Sequence, residues 1–200
     1  MSHASPSLAA GHRRRRSVLG VAAAVVASLT IATLVVASQP GPGYLAVNSW
    51  SAETVGTNLV RLSATTNGTI PKQADGFIHD NVIVGIAWAD LDTGTALVAT
   101  IHPTLGRDSK QRPDVWHLHT AQLAGGATAP NDFCLVAVST TPTAGIQIAG
   151  TTMKINLSAW KMPDPGSGPI PASAIDAAVG FTVHPGDAGC VTGLGVRVSA

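Results

Sequence analysis

The chain has 200 residues, of which 12% are charged and 45% are hydrophobic, and its formal net charge is +1. This length accommodates one ordinary domain with a short appendage. Four of the twelve basic side chains lie within residues 1–37, which hold no acidic one, so eight basic and eleven acidic side chains remain in the rest. A basic surface of the kind that binds nucleic acid is therefore not expected, and we predict no nucleic-acid partner.

The first predicted element is an export signal or membrane anchor at residues 1–37. A basic cluster at Arg13–Arg16 precedes an apolar run, Val18–Ala37, that contains no charge. About twenty apolar residues can span a bilayer, so cleavage before Ser38 and permanent anchoring in the membrane both stay open. Arg15–Leu19 also resembles the twin-arginine export signal. Arginines before the run and none directly after it predict that the N-terminus is inside and the remainder is extracytoplasmic, secreted or membrane-anchored.

Residues 38–56 are predicted to be a linker and domain edge, because Pro40 and Pro42 would stop a helix. Residues 57–200 then form one domain without convincing helical periodicity. The pattern of short apolar or alternating segments between turns predicts an all-β fold, an antiparallel two-sheet sandwich of about nine strands. The predicted strands are residues 58–64, 82–89, 95–101, 115–123, 133–139, 145–149, 152–159, 179–184 and 190–198.

Two of these strands are joined by Asp90-Leu91-Asp92-Thr93-Gly94, which is typical of a β-hairpin turn. Within the turn, Asp92-Thr93-Gly94 resembles the active-site triplet of aspartic proteases. Only one triplet is present, so the resemblance implies a homodimer in which two copies of Asp92 share a proton. Turn chemistry explains the same residues without an activity, because Asp, Thr and Gly are frequent turn residues.

The strand at residues 115–123 carries the most concentrated candidate chemistry. Side chains alternate along a strand, so His117 and His119 share one face while Trp116 and Leu118 share the other. Two aligned imidazoles suit copper or zinc, which usually need three or four protein donors. The same two histidines would also be ordinary on a solvent-exposed sheet face. The candidate ligands that could complete the site are His102 and His184, with His79, Asp108 and Asp114 as further donors.

Cys134 and Cys190 are the two cysteines of the chain. In an oxidising compartment an even pair most simply forms a disulfide, and closing a loop of this size contributes roughly 4 kcal/mol in the chain-entropy model. Thiolate ligation of a metal and two free thiols are the alternatives.

The segment Gly180-Phe-Thr-Val-His-Pro-Gly-Asp-Ala-Gly-Cys190 resembles the copper-ligand strand and following loop of copper/zinc superoxide dismutases. The resemblance implies that His184 is a copper ligand and Cys190 a disulfide partner. Thr182 stands where that family has its first histidine, no zinc-ligand histidines follow, and Cys134 precedes the segment instead of following it. The similarity covers eleven residues, and the family is not assigned.

The sequence contains none of the common catalytic motifs of hydrolases or phosphate-binding enzymes, so a non-enzyme is favoured. One alternative to the metal protein is an envelope or cell-surface module that binds a protein or a polysaccharide through its loops. An uncleaved N-terminal segment would additionally make the membrane a partner.

Overall fold

A computed structural model describes residues 42–73, 83–102, 115–139, 145–159, 162 and 170–199. All of these residues belong to one compact unit. Within these ranges, no helix combines the length and the apolar character that crossing a bilayer requires. The predicted signal or anchor lies outside the described residues, as does the charged stretch at residues 106–114.

The described residues form ten β-strands, which confirms the all-β prediction. Each of the nine predicted strands overlaps one of β2 to β10, whereas β1 was not predicted. The same ranges also contain a 3₁₀ turn at Ala172–Ala174. The strands are β1 (Val47–Val55), β2 (Leu59–Thr66), β3 (Ile83–Asp90), β4 (Thr95–Ile101), β5 (His117–Ala124), β6 (Phe133–Val138), β7 (Gly145–Ala149), β8 (Thr152–Ser158), β9 (Ala177–Pro185) and β10 (Leu194–Ser199).

The strands form two antiparallel sheets, one open and one closed. The open sheet has four strands in the order β1-β2-β8-β7, and the other six close into a barrel in the order β10-β6-β5-β4-β3-β9. Strand β9 closes the barrel because it pairs with β3 on one side and with β10 on the other. The predicted two-sheet sandwich is therefore correct in its antiparallel sheets, but one of them is a barrel.

The two faces of the barrel strands contribute to two different apolar clusters. Ala87, Val98 and Ala121 belong to a cluster drawn from all six barrel strands, so these side chains point into the barrel. Trp88 and Leu118 have the opposite parity and join a cluster that includes buried residues of the four-stranded sheet. Strands β3 and β4 are consequently buried on both faces, which explains their nearly continuous apolar sequences. The four-stranded sheet covers the outer face of this part of the barrel.

The structure confirms the predicted hairpin between β3 and β4. Gly94 has a φ of +67°, and the Asp90 side chain accepts a hydrogen bond from the backbone N–H of Thr93 at 3.1 Å. The backbone N–H of Leu91 donates to the Asp176 carboxylate at 2.9 Å, which attaches the turn to the start of β9. The residues of the Asp92-Thr93-Gly94 triplet thus lie in an ordinary capped turn, where the Asp92 side chain is exposed.

The structure also confirms the disulfide between Cys134 and Cys190. It joins β6 to the loop between β9 and β10. In the same loop, the Asp187 carboxylate accepts hydrogen bonds from the Asn131 side chain and from the backbone N–H groups of Thr128 and Gly189. These bonds, that of Asn131 foremost, lower the pKa of Asp187 to about 2. A covalent bond and a hydrogen-bonded carboxylate therefore hold this loop against the barrel.

Candidate metal centre

Two adjacent barrel strands bring three histidines together. His117 and His119 lie on β5, and His102 follows the last residue of β4. In the β4–β5 register, Thr100 is opposite His117 and Val98 is opposite His119. These residues have the same parity as the apolar side chains inside the barrel, so all three imidazoles are on its inner face. The structure thus brings the predicted pair together with one of the two predicted additional ligands.

The three rings are close enough to share one ion. One ring nitrogen from each of His102, His117 and His119 lies within 4.8 Å of the others. The Nε2 atoms of His102 and His117 are 3.0 Å apart. Two nitrogens bound to one tetrahedral zinc at about 2.0–2.1 Å would be about 3.3 Å apart, so small side-chain adjustments would bring these rings onto a common ion. The group could therefore hold a metal ion.

All three side chains are buried, with exposed fractions of 3% for His102, 8% for His117 and 7% for His119. Trp116 and Leu118, on the opposite face, are buried as well, because both belong to the apolar cluster that includes residues of the four-stranded sheet. The alternative interpretation, in which His117 and His119 lie on a solvent-exposed face, is wrong. These two side chains are buried because the sheet closes into a barrel, which covers the face of β5 that holds them.

Backbone carbonyl groups orient two of the rings. Nδ1 of His117 is 2.9 Å from the carbonyl oxygen of Val115, and Nδ1 of His119 is 3.3 Å from that of Ser139. A carbonyl oxygen can only accept, so we assign the proton of each neutral ring to Nδ1 and the lone pair to Nε2. Metal-binding histidines typically donate their outer N–H to such an acceptor, which fixes both the tautomer and the ring orientation. In this tautomer the Nε2 atom of each ring has the lone pair that a metal ligand requires.

The donor set of the described residues consists of nitrogen atoms. Both cysteines are in the disulfide and cannot supply thiolates, and no carboxylate of the described ranges joins the three histidines. Imidazole nitrogen suits zinc, copper, nickel and iron, whereas calcium and magnesium prefer oxygen. The further candidates His79, Asp108 and Asp114 lie outside the described residues.

The structure does not bring His184 into the histidine group. Phe181 and Val183 of β9 point into the barrel, so Thr182 and His184 point outward. There Nε2 of His184 is 2.7 Å from the Thr182 hydroxyl. Partial burial, followed by the positive charge of Arg197, lowers the pKa of His184. Of the two roles that the superoxide dismutase resemblance implies, the disulfide of Cys190 is present and the copper-ligand position of His184 is away from the triad.

One neighbour of the triad escaped the sequence-based prediction. The hydroxyl oxygen of Thr100 is 3.4 Å from Nε2 of His117, and the Thr100 side chain is buried. The sequence did hold one indication of Thr100: it is two residues from His102, and residues two apart on a strand share a face. Recognising it required the β4–β5 register, which places Thr100 opposite His117.

Comparison with known proteins does not add a family to this geometry. No protein-family model, no curated protein and no solved structure matches the chain. The function is therefore inferred from the residues of the site.

Proposed function

We propose that this protein binds one transition-metal ion through His102, His117 and His119. The observation that carries the proposal is the convergence of three buried ring nitrogens within 4.8 Å on two adjacent strands. The backbone carbonyls that accept from Nδ1 of His117 and His119 support it, because they hold the rings and place the lone pair of each on Nε2, as is typical of metal-binding histidines. A barrel end supplies a rigid frame, so little ordering would be required on binding.

Copper or zinc is the proposed metal. Among divalent first-row ions, a site of neutral nitrogen donors has its highest intrinsic affinity for Cu²⁺, while Zn²⁺ is the frequent partner of three histidines. A set of three protein ligands with one further position is typical of sites that bind water or another small molecule at the metal. Elemental analysis of the loaded protein distinguishes the two ions.

The test is elemental analysis of protein purified without a histidine tag, stripped with a chelator and then loaded with Zn²⁺ or Cu²⁺. We expect about one ion per chain, and the preferred ion is the one retained after dialysis against a mixture of both. The His117→Ala/His119→Ala variant should retain far less than the wild type. His184→Ala is the matched control, because that imidazole lies on the outer face of the barrel, and it should load like the wild type.

His102→Gln provides a second, milder variant in case the double substitution prevents folding, which circular dichroism would detect. It should also lose metal while keeping the fold. Equal and negligible copper and zinc in the wild type and in the folded variants would contradict the proposal. The triad would then be a buried hydrogen-bonded network whose role is structural.

We also propose that the domain acts outside the cytoplasm. The basic cluster and apolar run within residues 1–37 support export, and the disulfide is the type of cross-link that oxidising compartments maintain. Fractionation of cells that express the native chain tests this. Recovery in the membrane or external fraction is expected, and N-terminal sequencing distinguishes an anchor from a cleaved signal. Recovery of reduced protein in the cytoplasm alone would contradict it.

A further inference from the structure

The side chain of Arg197 on β10 points away from the histidine triad. Val196 belongs to the apolar cluster inside the barrel, so Arg197, the next residue along the strand, is on the outer face. We propose that this outer face binds one hydrogen phosphate ion between Arg197 and Asn131. The proposed site is separate from the metal centre and does not depend on it.

Two buried polar atoms on this face have no hydrogen-bond partner. Within the described ranges, the buried side-chain atoms of this kind are Nε of Arg197 and Oδ1 of Asn131. The Asn131 side chain fills the space over Gly195, which is two residues before Arg197 and therefore on the same face. Residues two apart on a strand are separated by about 7 Å, a span that one tetrahedral oxyanion with a hydrogen bond at each end can cover.

These two atoms indicate a ligand because an unpaired buried polar atom costs about 1–3 kcal/mol. A bound ion or water is a common reason for such an atom in a native protein. Neither side chain is fully buried as a whole, so a small ion can reach both from solvent after a small rotation of each.

The positive charge of Arg197 makes an anion the suitable ligand. Its side chain is partly buried, and no carboxylate of the described residues forms an ion pair with it. Partial burial and then the charge of Arg197 lower the pKa of His184 on the adjacent strand β9, so the field of the guanidinium extends over this face. Buried charges are normally paired, and a guanidinium can hold a phosphate through two parallel hydrogen bonds.

A hydroxyl group lies beside the guanidinium. Thr182 is opposite Arg197 in the β9–β10 register, and the two residues share the outer face. The hydroxyl oxygen of Thr182 is 2.7 Å from Nε2 of His184. A hydroxyl that accepts from a protonated Nε2 keeps its own hydrogen for an anion. On the other side of Thr182, the row ends at Val84 of β3, which is apolar and buried.

Asn131 favours hydrogen phosphate over other small oxyanions. Its Nδ2 donates to the Asp187 carboxylate at 2.8 Å, and a carboxyl group with a pKa of about 2 is ionised and can only accept. The other amide atom, Oδ1, is therefore an acceptor that needs a donor. Hydrogen phosphate offers oxygen atoms to Arg197 and a P–OH group to Oδ1, whereas sulfate at neutral pH has no proton to donate.

The experiment is isothermal titration calorimetry of the full chain with sodium phosphate and, separately, with sodium sulfate at pH 7 and equal ionic strength. Each protein is first stripped with a chelator, so that no metal ion can hold the anion. We expect one phosphate per chain in the wild type, and sulfate should bind at least tenfold more weakly. Arg197→Gln should bind phosphate at least tenfold more weakly than the wild type.

Two further variants separate the contributions to phosphate binding. Arg197→Lys keeps the charge but loses the two parallel N–H groups, so it should also bind phosphate less tightly than the wild type. It carries the comparison if circular dichroism shows that Arg197→Gln does not fold. Thr182→Val keeps the shape but loses the hydroxyl and should weaken phosphate binding about threefold or more.

Arg61→Gln is the matched control, because this exposed arginine of the open sheet pairs with Glu53 at 2.9 Å. It removes the same charge elsewhere and should bind phosphate like the wild type. No saturable phosphate binding by the wild type, or equal binding by the folded Arg197 variants, would overturn the inference. Sulfate that binds as tightly as phosphate would overturn the assignment of hydrogen phosphate and the role of Asn131. Equal phosphate affinity in Thr182→Val would remove this hydroxyl from the site.

Discussion

At the scale of single residues, a histidine can join the metal site only if its side chain points into the barrel. Alternation along the strand predicted that His117 and His119 share a face, and the structure confirms it. His102 was named with His184 as a candidate for completing the site, but only the register between β4 and β5 shows that His102 is the one that approaches the pair. The outward direction of His184 was accessible from the sequence, since the apolar residues Phe181 and Val183 flank Thr182 and have the opposite parity.

Asp187 provides a prediction about pH at this scale. Its pKa is about 2 in the folded chain against an ordinary value of 3.8, because Asn131 and two backbone N–H groups donate to its carboxylate. A carboxyl whose folded pKa is depressed stabilises the fold above its unfolded pKa, and the contribution is lost as the pH falls toward the folded value. We expect Asp187→Asn to lower the melting temperature at pH 7 and the difference from the wild type to shrink between about pH 4 and pH 2.

Thermal unfolding followed by circular dichroism from pH 7 to pH 2 measures this difference. Asp92→Asn is the control, since Asp92 is exposed in the hairpin turn, and it should stay close to the wild type throughout. A constant gap between Asp187→Asn and the wild type down to pH 2 would show that the ionised carboxylate is not the stabilising group.

At the scale of elements, local chemistry determined how much could be predicted. The β3–β4 hairpin was predictable because the Asp and Gly residues that cap and close the turn are adjacent in sequence. Strand β1 was not predicted because it lies at the edge of the open sheet, and most of its side chains are exposed on both faces. A strand of this kind has no apolar alternation from which it could be recognised.

Gly94→Ala tests the geometry of the hairpin. Gly94 has a φ of +67°, and a Cβ atom would lie 2.6 Å from the carbonyl oxygen of Leu123 on β5. The substitution therefore adds a clash with a backbone atom to the strain of a left-handed conformation, and we expect a loss of about 2–4 kcal/mol in the free energy of unfolding.

Gly150→Ala separates these two effects. Gly150 lies in the β7–β8 turn with a similar φ of +60°, but a Cβ atom there would meet nothing within 4 Å. Strain alone should cost about 1 kcal/mol. Urea denaturation compares the two variants, and equal losses would contradict the close approach of Gly94 to β5.

At the scale of the whole molecule, barrel closure is the feature that the sequence did not predict. It depends on the pairing of Ile83 with Val183 and of neighbouring residues, which are far apart in the chain. Local patterns contain no information about which distant strands pair, whereas cysteine count alone indicated the disulfide. The same closure buries His102, His117 and His119 together. The fold therefore turns a two-histidine motif into a three-histidine site.

The central claim is that this site binds a metal ion. Its most direct test is anomalous X-ray diffraction from crystals of protein loaded with zinc or copper, recorded on both sides of the absorption edge of the metal. We predict one strong anomalous peak inside the barrel, about 2.0–2.1 Å from a ring nitrogen of each of His102, His117 and His119. A fully loaded crystal with no peak among these three side chains, or with peaks only at surface residues, would contradict the account.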